Sequence, residues 1–192
     1  VHIFFSLSIT RIAAFLFGCS LVAACGGSGG DSTTGSASGG NSLNACEVLR
    51  AANPAEVLGG DVDQERLIFD QRDGNNSASQ CKLTASGTGR AVGLLLRRAK
   101  GSKAPASRQE FIDGTREAND MGAGDDTANA LEAGRQIPGI GDLALTYDLF
   151  SYNLMVWNAD QQFTVMLDGF GNGEEAEAAA VRVAKDVLAT TH

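Results

Sequence analysis

Histidine is almost missing from this 192-residue sequence: only His2 and His192 occur, at its two ends. The stretch between them therefore has no imidazole general base. A Ser-His-Asp or Cys-His nucleophilic site and a zinc site built on histidine are excluded from a folded core. Basic residues are scarce as well. Only 15 Lys and Arg stand against 23 Asp and Glu, a net charge of −8 and the wrong sign for a chain that must gather phosphates, so no nucleic-acid partner is expected. Aromatic residues make up only 6% of the chain, and proline only three positions, whereas glycine takes 24. None of the four cysteines forms a Cys-x-x-Cys pair, which removes the commonest redox and metal spacing.

What is present begins with an apolar leader. Residues 1–24 hold no acid and a single cation, Arg11, and an apolar run from Ile12 to Val22 leads into Ala23-Ala24-Cys25. Such a run ending in small residues reads as a signal-peptide core and is short for a membrane span, which needs about 20 apolar residues. Counting from Ile3 would reach that length, but Arg11 would then sit in mid-bilayer at a cost of about 2.5–3.5 kcal/mol. An uncleaved anchor or a plain secretory signal is the alternative reading of the segment.

Val22-Ala23-Ala24-Cys25 resembles the lipobox of bacterial lipoproteins, in which a branched residue and two small ones precede a cysteine that receives diacylglycerol. The resemblance implies that residues 1–24 are a lipoprotein signal peptide, that Cys25 becomes the acylated N-terminus and that Cys19 is discarded. It implies a membrane contact through lipid, and Gly26 after the acceptor looks like an outer-membrane sorting signal in a cell with two membranes. Residues 26–44 hold seven Gly and five Ser in 19 positions. Nothing there can bury a core, so residues 25–44 read as a lipidated cysteine and a flexible tether with an r.m.s. reach of about 22–26 Å.

With Cys19 and Cys25 assigned, Cys46 and Cys81 remain. In an exported domain an even pair reads as a disulfide, here closing a loop that stabilises by about 3.5–4 kcal/mol on the chain-entropy model. A redox or metal pair is the alternative, but no histidine is at hand to complete a tetrahedral site.

Residues 45–192 read as one globular α+β domain, with an antiparallel sheet of about five to seven strands packed by amphipathic helices at start, middle and end. Cys46, Leu49 and Ala52 have helical spacing, and Asn53-Pro54-Ala55-Glu56 reads as a helix restart with Asn53 as N-cap, stopped by Gly59-Gly60. Leu67-Ile68-Phe69 and Gln80–Thr84 read as short strands and Arg90–Arg98 as a longer one, around a turn at 73–77. Ser107-x-x-Glu110 is a capping box opening a helix with Phe111 and Ile112 on one side, and 121–130 reads as a mobile loop. Three alternating strands follow, over 143–147, 152–156 and 163–167. The closing helix starts at Glu174, Glu175 and Glu177, with Ala180, Val181, Ala184, Val187 and Leu188 as its buried face.

A cysteine in an opening helix that ends in Gly-Gly, a second cysteine in an early strand, and Pro138-Gly139-Ile140-Gly141-Asp142-Leu143-Ala144 before hairpin strands and a terminal helix together resemble a family of envelope lipoproteins of unknown function, over Ala45–Ala189. In that family the helix cysteine is bridged to the strand and a Gly-x-Gly-Asp-x-Ala segment leads into the second half of the sheet. Leu83 stands where the family has Trp after its strand cysteine. The resemblance implies fold and location and carries no catalytic residue.

The remaining motifs are weak as chemistry. Gly139-Ile140-Gly141-Asp142-Leu143-Ala144 matches the spacing of a dinucleotide loop, but it opens a strand where that loop must open a helix. Ser79-x-x-Lys82 matches a nucleophile motif that needs one helical face, and in a strand the two residues point apart. Asp61, Asp63 and Glu65 alternate like a calcium loop, yet the required Gly and Glu are Arg66 and Arg72. Asp125-Asp126 and the Glu174 group suggest a carboxylate pair, but a loop and a helix cap explain them. Two surfaces are left. Arg97 and Arg98, with Lys100, Lys103 and Arg108, form a basic cluster able to meet anionic headgroups or polysaccharide, or simply a solvated strand end. Met155 and Trp157, with Asn153, Thr164 and Met166 beside them, form either an adaptable contact surface or a face covered by a helix. The expectation is a non-enzymatic, lipid-anchored envelope domain that binds a protein partner or a wall or membrane component, without cofactor or metal. A carrier of a small apolar ligand in a cavity between sheet and helices is the alternative.

Overall fold

The computed structural model describes residues 44–119, 126–171 and 173–191. The leader, Cys25 and the Gly/Ser-rich segment up to residue 43 lie outside the described residues, as do 121–125 of the expected loop and both histidines.

The first described element is set by a cap. The Asn44 side chain accepts hydrogen bonds from the Cys46 and Glu47 amides at 3.0 Å each, and Glu47 reaches back to the Asn44 amide at 2.7 Å. This reciprocal box starts helix α1, Ala45–Ala51, and satisfies donors that would otherwise be orphaned. Asn53 is not the side-chain cap that its sequence suggests. It adopts a left-handed conformation (φ 47°) and makes the corner between α1 and α2 (Pro54–Leu58), where Pro54 supplies a preset φ. Gly59, also left-handed, ends the turn.

A meander follows: β1 (Gln64–Asp73), β2 (Asn76–Ala85) and β3 (Arg90–Ala99). β1 and β2 run well past the short apolar cores read from the sequence. Asp73 pairs directly with Asn76, and Gly74 takes the positive φ that the two-residue loop needs, so the polar flanks zip up. Helices α3 (Arg108–Asn119) and α4 (Asp126–Ala133) lead to a second meander, β4 (Leu143–Leu149), β5 (Ser151–Asn158) and β6 (Gln161–Asp168), and the described chain ends in α5 (Glu174–Thr191). Residues 126–130, expected in a loop, belong to α4: Ala128 and Leu131, three apart, bury one helical face.

The six strands form one antiparallel sheet in the order β1-β2-β3-β6-β5-β4, so the two meanders meet where β3 pairs with β6. Helices lie at start, middle and end, and the fold is α+β. The register assigns the faces. Cys81, Leu94, Val165 and Leu154 lie in one row across four strands, and side chains two residues away point the same way. This inner face carries Leu83, Val92, Leu96, Val156, Phe163 and Leu167, and it is covered by α1, α2 and α5 in a single core. Helix α5 turns Ala176, Ala180, Val183, Ala184 and Val187 inward, and its alanines let it lie close to the sheet. Val181 and Leu188, expected inside, sit at the rim, because the buried stripe runs through Val183.

The edges differ. Beside β4, Gln136 bridges Leu145, the Ile137 amide donates to the Ala144 carbonyl (2.9 Å) and the Thr146 amide to the Arg135 carbonyl (2.8 Å). β1 is the other edge; its register slips between Leu67 and Phe69, and Leu67 and Ile68 are exposed there. Such a bulge with flanking charges discourages a foreign strand from pairing.

Cys46 and Cys81 form a disulfide, with Cα atoms 5.0 Å apart, tying α1 to β2 inside the core. Cys46→Ser should lower stability by about 4 kcal/mol on the loop-entropy account. Urea unfolding measures this; a midpoint and slope equal to the parent's would refute a structural role for the bridge.

Candidate functional site

Among the described residues the outer face of the sheet is only half covered. Alternation places Leu143, Leu145 and Tyr147 of β4 on this face, together with Asn153, Met155 and Trp157 of β5. Helix α3 packs here: the Phe111 ring meets Trp157 edge to face at 4.6 Å, and Leu143 and Leu145 complete a second, smaller core. Trp157 is therefore buried and is not part of an open contact surface. Leu143 and Leu145 set this outcome, because they sit opposite Trp157 and Met155 and make an apolar bed for a helix.

Beyond α3 the face opens into a groove of about 160 Å³ lined by Leu95, Arg97, Tyr147, Met155, Gln162, Thr164 and Met166 among others. Three strands build it. On β3, Gly93 leaves room for Met166, whose methyl carbon would lie 3.0 Å from a Cβ at that position. Leu95 and Arg97 follow on the same side of the strand. On β6, Thr164 lies between Leu95 and Met155 in the register. The methionine sulfurs are each approached by a carboxamide: Gln162 Nε2 donates to Met155 Sδ at 3.0 Å and Gln80 Nε2 lies 4.0 Å from Met166 Sδ.

Tyr147 closes the groove on the β4 side, sharing a hydrogen bond with Thr164. Burial pushes its phenol above the ordinary value, with Thr164 and the Arg97 charge opposing. The structure thus brings Met155, Met166 and Arg97 together and adds Leu95, Tyr147, Gln80 and Gln162, which sequence reading missed. Their signal was the alternation Gly93, Leu95, Arg97 in β3, which becomes informative once β6 is known to lie beside it.

Arg98 points to the other side. Its guanidinium donates to Gln161 Oε1 at 3.1 Å and to the Thr191 carbonyl at 3.4 Å, closing the C-terminus of α5. Arg108 binds the Leu131 and Glu132 carbonyls at the end of α4. Arg97, Arg98 and Arg108 of the basic cluster read from sequence thus lie in three different places, and of these three Arg97 alone faces the groove.

The other sequence motifs resolve into structural roles. Ser79 Oγ accepts from the Ala45 amide (2.9 Å) on the inner face, while Lys82 pairs with Asp168 (2.6 Å) on the outer one. Asp63 accepts from the Ser86 amide and hydroxyl at 3.0 Å, and Glu65 pairs with Arg50 at 2.8 Å. Gly141 takes a positive φ beside the Trp157 carbonyl, and the Asp142 side chain accepts from the Ala159 amide at 2.8 Å, so Gly-x-Gly-Asp is the turn into β4. Among the described residues no three His, Cys, Asp or Glu side chains come together as metal ligands. Cys25 lies outside the described residues.

A wider cleft of about 360 Å³ lies at the β4 edge, lined by Arg135, Thr146, Asp148, Tyr152 and Glu177 among others. The Tyr152 hydroxyl donates to Glu177 Oε2 at 3.1 Å, and Arg135 pairs with the same carboxylate. Burial, then the bond and charge of Glu177, hold the Tyr152 phenol well above its ordinary value, with Arg135 and Thr146 opposing. Its hydroxyl is engaged with a paired carboxylate, an arrangement that ties the strip over β4 to α5.

Comparison with known proteins brings no relative: no family model, curated protein or solved structure matches the chain.

Both tyrosines of the sequence, Tyr147 and Tyr152, are thus held above the ordinary pKa of 10. Above that pH the unfolded chain loses phenol protons that the folded chain keeps, so rising pH favours unfolding. Stability from this source should hold up to about pH 10 and fall beyond it. Phenolate absorbance of the folded protein should lag behind that of the urea-unfolded chain; two tyrosines titrating at the ordinary value in the folded state would contradict this.

Proposed function

We propose that the chain is a lipid-anchored cell-envelope domain, without catalytic activity of its own, that holds a protein partner on the outer face of its sheet. The observation that carries this reading is the groove that no described residue covers. Met155, Met166 and Leu95 remain partly exposed beside a cation on a face whose other half has a helix to cover it. Adaptable apolar side chains flanked by polar groups are what a contact surface requires. The lipobox resemblance at Val22–Cys25 supports an anchored, exported location, as does a disulfide inside the folded part. No described helix is long and apolar enough to cross a membrane.

The carrier alternative draws less support. The space between the sheet and α1, α2 and α5 is filled by large side chains such as Leu49, Leu94, Leu154 and Phe163, each almost fully buried. The groove itself has about half the smallest volume common for small-molecule sites, roughly 300 Å³.

Two outcomes test the proposal. Cys25→Ser should abolish incorporation of labelled palmitate and leave the protein unprocessed or released; unchanged membrane retention and mass would sink the anchor. A photo-cross-linking residue at position 166, in the full chain in intact cells, should give a discrete adduct that the same residue at the α5 surface position 178 does not. Equal adducts from both positions, or none from either, would remove the outer face as the contact surface.

A further inference from the structure

The groove's chemistry is one-sided. Its lining includes a guanidinium, a phenol, a threonine hydroxyl and a glutamine amide, yet no Asp or Glu among the described residues, in a chain of net charge −8. Arg97 forms no ion pair among the described residues, whereas Lys82, on the neighbouring strand β2 and the same face, is neutralised by Asp168. An apolar floor with an uncompensated cation at its end is complementary to an apolar group that carries a negative charge close by. The volume narrows the choice. A dry cavity of about 150 Å³ holds one benzene, so a groove of about 160 Å³ has room for one branched or aromatic side chain and not for a long acyl chain. Among the described residues the carboxamides flanking it are engaged with thioether sulfurs, which are weak acceptors that a main-chain carbonyl readily replaces.

We propose that the partner is a polypeptide that seats one apolar side chain between Met155 and Met166 and sets a carboxylate against the Arg97 guanidinium, with Gln80 and Gln162 turning to its main chain. This rests on the outer face being the contact surface, and it adds the chemistry of what binds there.

The test uses the purified full chain with isotope-labelled methionine methyl groups and three probes: the blocked tetrapeptide acetyl-Gly-Leu-Asp-Gly-amide, its Leu-Asn counterpart and decanoate. The Leu-Asp peptide should shift the Met155 and Met166 methyl resonances in a saturable way. The Leu-Asn peptide, or the Leu-Asp peptide with Arg97→Gln, should bind about tenfold more weakly, the loss of one charge-assisted contact. Absence of shifts with the Leu-Asp peptide, equal binding of the Leu-Asn peptide, or tighter binding of decanoate would each overturn the acidic-peptide occupant. Methyl shifts that depend on protein concentration alone would overturn it in favour of a second copy of the chain. Failure here is distinguishable from failure of the contact surface itself: an adduct from position 166 that persists undiminished with Arg97→Gln refutes the carboxylate while leaving the surface in place.

Discussion

The pairing of β3 with β6 is the constraint on which the rest depends. Each meander alone is a three-stranded ribbon with hydrophobic residues on an unprotected face, close to the least that can stand in water. Joined along eight paired positions, from Ala91 with Asp168 to Arg98 with Gln161, they become one six-stranded sheet wide enough to support helices on both sides. The same pairing aligns Leu94 with Val165 on the inner face and Leu95 with Thr164 on the outer one. A slip of one residue would turn every inward leucine and valine of one meander toward solvent. Core and groove are thus two consequences of a single register.

The two faces are finished differently. The inner face is dry and continuous, with aliphatic side chains from four strands under small residues of α5. The outer face is apolar enough to hold α3 at the β4 and β5 end, through Leu143, Leu145 and Trp157, and turns amphipathic toward β3 and β6. That gradient locates the groove: it begins where the bed for the helix stops. Charges differ in the same way. Arg50, Lys82 and Arg182 have carboxylate partners and Arg98 and Arg108 serve helix ends, while Arg97 lines the groove.

Much of the fold was legible in the sequence because it is written locally. The Ser107 cap, the Gly-Gly stop, the period-two strands and the acidic start of α5 each act within a few residues. The Cys46–Cys81 pairing came from counting. What was not legible depends on neighbours distant in sequence. That Trp157 would be covered follows from β4 placing Leu143 opposite it, and that Arg97 and Arg98 would part company follows from one lying over β6 toward the groove and the other toward α5. Helix α4 was missed because it buries only two residues, Ala128 and Leu131, too few to stand out before β4 and α3 are there to receive them. Of the groove, Met155, Met166, Thr164 and Arg97 could be named from sequence as belonging to two surfaces; only the sheet order shows that they share one.

The bridge between Cys46 and Cys81 also defines a mechanical path. Cys46 is the third described residue, so tension arriving along the chain ahead of Asn44 meets it almost at once. From there the load crosses a covalent bond into β2, which is hydrogen-bonded on both sides, to β1 and β3. The intervening segment, with the rest of α1, all of α2 and all of β1, carries none of it. A pull on the N-terminal side therefore reaches, through a covalent bond, a strand held on both flanks before it can unwind the first helix.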